Sequence, residues 1–210
     1  MSASILSSIL LRLGGLAAMV GGVASATLGL LTVLVVKYQM PGSVERAIQQ
    51  KGSYEFPVLN MLLFGALAAI VALHTLQRQR YGSQGTLAAL AAFIGLVLLP
   101  LGWLVAGPSY PLLLTAAVLI VGVLAASVGL VGLGIVTMSA GVLPRWCGAA
   151  LIAGSPPFVG LEFGVLGFLG LPAMVPGGIA WALVGAPWLM VGYAIFRAAG
   201  RRTEQAPRVR

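Results

Sequence analysis

Apolar residues run along this chain in six stretches, each long enough, or nearly so, to form a helix across the roughly 30 Å hydrocarbon layer of a membrane, which takes about 20 residues. The first extends over 13–36 and stops at Lys37-Tyr38. The second, 57–76, opens with Pro57 at a first-turn position that suits proline and ends in Gln77-Arg78-Gln79-Arg80. The others cover 86–105, 111–138, 146–169 and 178–196, with an outer loop at 37–56 and a basic tail at 197–210. Gly107-Pro108-Ser109-Tyr110-Pro111 and the Gly170-Leu171-Pro172 to Pro176-Gly177-Gly178 segment punctuate the later stretches. These short uncharged turns predict closely packed hairpins. Arg12 followed by Ala24-Ser25-Ala26 has the look of a signal peptide, but the apolar run continues to Val36, so an uncleaved first helix is expected. The pattern predicts an all-α integral membrane bundle of six transmembrane helices.

Composition agrees with that reading. The 210 residues are 60% hydrophobic and 8% charged, against about 25% charged in an ordinary soluble domain. The net charge of +8 does not point to nucleic acid, because the arginines cap apolar runs instead of forming a polar patch with stacking aromatics. Following six crossings, Arg12, Arg78, Arg80, Arg145, Arg197, Arg201, Arg202, Arg208 and Arg210 fall on one side, and Lys37, Arg46 and Lys51 on the other. The positive-inside rule then predicts both termini in the cytoplasm, at a cell (inner) membrane. Tyr38, Tyr54, Trp103, Tyr110 and Trp181 are expected at the outer interface and Tyr81, Trp146 and Tyr193 at the inner one. Trp188, lying mid-span, is expected to fill an interhelix gap. In the outer loop, Ser43 to Gly52 has the capping pattern of a short surface helix.

Inside lipid, helices associate through small residues that let backbones approach. Ala17, Gly21, Ser25 and Gly29 recur at four-residue spacing in the first span, and Gly160 and Gly164 do so in the fifth. Gly178, Ala182 and Ala186 mark the sixth span, while Ala91/Gly95 and Gly122/Ala126 mark the third and fourth. The expected partners are the bilayer and either further copies of the chain or a larger membrane complex.

Few groups remain for chemistry. Glu162 is the acidic residue inside a predicted span, and intramembrane ionisable groups are functional candidates. It follows Ser155-Pro156-Pro157, which must break the fifth helix and free backbone carbonyls. A continuous helix from Trp146 places Glu162 about 24 Å up, toward the outer headgroups. His74, the sole histidine, and Asn60 lie about four turns apart on one face with Phe64, Leu67, Val71 and Arg78, a candidate polar path. With no aspartate, one histidine and one cysteine (Cys147), the chain offers no catalytic set, no metal cluster and no second haem ligand, so neither an enzyme nor a cofactor is expected. Ser139-Ala140-Gly141 leading into Leu143-Pro144-Arg145-Trp146 and Gly148 resembles a cytoplasmic loop of bacterial multi-pass membrane families of unknown function. That resemblance implies a bacterial membrane protein and carries no active-site residue. The leading expectation is a non-catalytic scaffold or accessory subunit. The alternative is a small-solute or proton-coupled transporter using Glu162 and the proline break.

Overall fold

The computed structural model describes residues 3–38, 55–105, 112–156 and 174–204. They form five helices: α1 (Ala3–Tyr38), α2 (Glu55–Val105), α3 (Leu112–Ala140), α4 (Arg145–Ala153) and α5 (Met174–Glu204). Four of these are long and apolar enough to cross a membrane. The surface helix expected at Ser43–Gly52, the turn at 107–111 and the 157–173 segment lie outside the described residues.

The second and third predicted spans form one element interrupted at Gly82, whose φ of 58° and ψ of −151° break the helical path. Ile70, Val71 and His74 before the break and Thr86, Ala89, Leu90 and Phe93 after it line a single cavity of about 220 Å³. A straight helix would separate residues 70 and 93 by about 35 Å, so α2 doubles back as two antiparallel arms, 55–81 and 83–105. The Gln77–Arg80 run does not end the first arm. Helix continues to Tyr81, because Gln77 finds a buried position.

Backbone-to-backbone approach sets the packing. A Cβ added to Gly14 would stand 2.8 Å from the Ala68 carbonyl, and one on Gly21 would stand 2.6 Å from that of Met61. Gly15 and Gly22 instead face α5, meeting the Gly192 carbonyl at 2.7 Å and the Gly185 carbonyl at 2.6 Å. Moving up α1 moves down both partners, so α1 runs antiparallel to the first arm of α2 and to α5. Likewise Gly95 faces Ala126 and Gly129 faces Ala92, which pairs the second arm of α2 antiparallel with α3.

The predicted four-residue stripe on α1 is therefore divided between neighbours. Four residues turn a helix 400°, so such a row drifts about 40° per step. By Ser25 it has left α2 and reached α5, where Ser25 Oγ donates to the Trp181 carbonyl at 2.7 Å. Seven-residue spacing stays on one face far better, and Gly14/Gly21 and Gly15/Gly22 use it. On α5 the working glycines are Gly185 and Gly192, while Ala186 is exposed. Gly29 is buried. Gly160 and Gly164 lie outside the described residues.

Helix ends also differ from the predicted spans. α1 begins at Ala3, well before residue 13, and α5 continues through Arg197, Arg201 and Arg202 to Glu204. The first part of the basic tail is thus a helical extension. α3 ends at Ala140, followed by Gly141 at φ 66°, the left-handed position at which glycine commonly stops a helix.

Candidate functional site

α4 climbs from the Arg145 corner against α3, with Gly148 seated against Gly134 and Met138. Its nine residues rise only about 13 Å. The helix stops at Gly154-Ser155, ahead of the Pro156 that sequence marked as a breaker. The Gly154 amide donates to the Ala150 carbonyl at 2.9 Å. The Ser155 amide and hydroxyl both donate to the Ile152 carbonyl, at 3.0 and 2.6 Å. Ser155 is fully buried, and its hydroxyl closes the helix end. A Cβ on Gly154 would meet Pro187 at 3.1 Å and Trp188 Nε1 at 3.6 Å. Since Trp188 sits about nine residues above Arg197, this end lies near the middle of the bundle.

Beside it is a cavity of about 300 Å³. Leu62, Leu63 and Ala66 of the first α2 arm, Leu96 and Leu99 of the second, and Leu130 of α3 form its apolar walls. Gly154 and Pro156 close one side, and Trp181 and Trp188 of α5 another. Trp188 is 3% exposed. It fills the interhelix space as expected, and it also forms a wall of this chamber. Nothing in the sequence marks the chamber itself, because its walls are ordinary leucines and alanines whose convergence depends on how α2 folds back.

Gln77 is a second feature that sequence reading missed. It is fully buried, and its Oε1 accepts from Thr137 Oγ1 at 3.2 Å. Its Nε2 is the one fully occluded side-chain polar atom without a hydrogen-bond partner among the described residues. Reading Gln77 with the exposed arginines beside it concealed this; it lies one turn above Tyr81, on the inward side.

The Asn60/His74 stripe is divided between exposed and half-buried positions. Phe64 is 69% exposed and Val71 53%, and Arg78 is exposed with them, whereas Asn60, Leu67 and His74 are half-buried and His74 lines the cavity between the α2 arms. His74 Nδ1 pairs with Tyr81 Oη at 3.0 Å. That bond, one side of the Gly82 reversal, takes Tyr81 out of the interfacial belt and buries it. Trp146 and Tyr193 remain exposed, as a belt requires. Glu162 and Pro157 lie outside the described residues, so the structure brings Pro156, next to the buried Ser155, to the central cavity but does not describe their predicted partner carboxylate.

The arginines gather at one end. Gly15 against Phe196, Gly14 against Ala72, Gln77 against Thr137 and Gly148 against Met138 set the levels of the helices. Arg12, Arg78, Arg80, Arg145, Arg197 and Arg201 accordingly share one end of the bundle and are exposed there. Among the described residues, no group of three or more histidine, cysteine, aspartate or glutamate side chains is placed to hold a metal. Neither a family model, nor a curated protein, nor a solved structure shows detectable similarity to this chain.

Proposed function

We propose that this is a non-catalytic membrane protein that crosses the bilayer six times, with both termini and the arginine end in the cytoplasm, and that it holds a small solute at mid-depth, as a transporter does. The parity argument is geometric. α1, the two arms of α2 and α3 alternate in direction, and α5 runs opposite to α1. α4 leaves the arginine end antiparallel to α3, as the fifth of six crossings would. Positive charge collected at one end favours the cytoplasmic side and attracts anionic headgroups there, at about 1 kcal/mol per basic residue near the surface.

The observation that carries the solute reading is the stop of α4 in mid-bundle beside the tryptophan-walled cavity. Discontinuous helices at the midplane are a recurrent way to build a transport site, and here the break sets Gly154 and Pro156 on the cavity wall. A scaffold reading drew on the small-residue stripes. The α1 stripe is occupied within the chain, while on α5 Ala186 stays exposed, so the scaffold reading keeps only part of its support.

Thiol accessibility tests the proposal. In a Cys147→Ala background, Val184→Cys places one thiol on the cavity wall. Because thiol modification proceeds through the hydrated thiolate, labelling of sealed vesicles by a membrane-impermeant maleimide requires water to reach the cavity. Labelling from at least one side is expected; a thiol inert from both sides in folded protein would overturn the transport reading.

A further inference from the structure

We propose that the central cavity binds a neutral, apolar molecule bearing a hydrogen-bond acceptor such as a ketone or ester carbonyl, and that the Trp188 indole N–H anchors it. This rests on the reading of the cavity as a solute site and supplies the chemical class of the solute. Walls of leucine and alanine exclude ions and strongly hydrated molecules, since burying a charge unpaired is prohibitive. A volume of about 300 Å³ is at the small end of ligand pockets, which are mostly apolar with a few placed polar groups.

Trp188 supplies that polar group. The residue is only 3% exposed, and no acceptor among the described residues takes its N–H. Gln77 Nε2 being the one fully occluded unpaired atom, the indole nitrogen retains access, and Gly154 at its edge is itself a cavity wall. A buried indole N–H normally finds a partner. A bound carbonyl oxygen is the acceptor this donor lacks. Trp181, whose carbonyl accepts from Ser25, adds a second aromatic wall and is held by α1 at its backbone.

Benzophenone is the probe: it has a carbonyl acceptor and two phenyl rings, and on illumination it inserts into nearby C–H bonds. Full-length protein in phosphatidylcholine vesicles is photolabelled over a concentration series, and modified peptides are located by mass spectrometry. Saturable labelling of the segments around Leu62–Ala66, Leu96–Leu99 and Leu130 is expected. Trp188→Phe keeps an aromatic wall without the donor and should raise the half-saturating concentration about fivefold, the effect of one net hydrogen bond. Diphenylmethane, which lacks the carbonyl, should compete equally well in both proteins. Ala66→Phe, which fills the cavity, should abolish labelling of these segments while labelling of lipid-facing segments persists. Equal half-saturation in wild type and Trp188→Phe overturns the anchor while leaving the solute site standing. Labelling confined to lipid-facing segments, or cavity labelling that survives Ala66→Phe in folded protein, overturns both.

Discussion

Replacing Gly22 by alanine tests the packing logic most directly. The added Cβ would stand 2.6 Å from both the Gly185 carbonyl oxygen and the Leu189 amide nitrogen. Both are backbone atoms of α5, so no side chain can rotate away. Restoring ordinary contact at 3.4 Å requires the helices to part by about 0.8 Å. Some 20 heavy-atom pairs around the position hold roughly 3 kcal/mol of dispersion at ~0.15 kcal/mol each, and such a gap forfeits a quarter to a half of it, about 1 kcal/mol. The Ser25–Trp181 hydrogen bond crosses the same interface one turn away, and stretching it removes about 0.6 kcal/mol more, the mean for bonds between membrane helices. In water alanine would recover about 1 kcal/mol through helix propensity. In a bilayer the separated helices are already helical, so that gain cancels. The expected loss is about 1.5–2 kcal/mol, which is more than tenfold in the folding equilibrium. Titration with SDS in mixed micelles, followed by circular dichroism, reads it out. Gly200→Ala is the control, since nothing lies within 4 Å of its added Cβ, and it should leave the midpoint unchanged or raise it through helix propensity. A Gly22→Ala protein as stable as wild type, or a matching loss at Gly200, refutes the argument.

Gly82→Ala should destabilise by about 1–3 kcal/mol on the same titration, although space around it is open, because φ 58° with ψ −151° is a conformation essentially reserved for glycine. Gln77→Met should be neutral or stabilising by up to about 2 kcal/mol. It removes a buried unpaired donor worth about 1–3 kcal/mol of desolvation, and the Thr137 hydroxyl can turn to a carbonyl one turn back in its own helix. A loss above about 1 kcal/mol would show that Nε2 is paired. Reporter domains fused at the two ends of the chain should respond alike in a sidedness assay; opposite responses would refute the six-crossing parity. Tyr81→Phe should lower stability by about 0.5–1.5 kcal/mol through loss of the His74 bond, and in a double-mutant cycle a prior His74→Phe change should abolish that effect.

Sequence by itself determined the helical, lipid-compatible character of the chain, because crossing a hydrocarbon layer requires long apolar runs and nothing else satisfies the backbone there. It also marked the halt of α4 ahead of Pro156, since a proline inside a helix lacks the N–H that the turn requires. What tertiary structure alone decided is which face of each helix meets which neighbour. Two glycine rows run along α1, and four-residue spacing selected one that drifts from α2 to α5. On the α2 arm, the Asn60/His74 face was a sound helical stripe, yet Phe64 and Val71 on it are exposed while His74 turns to Tyr81, and Gly65 makes the close approach to α1. Gln77 looked like part of a charged terminus and became the buried partner of Thr137, 60 residues away. The cavity is the clearest case. Leucine and alanine carry no mark of what they line, and only the reversal at Gly82 and the early stop of α4 bring them around Trp188.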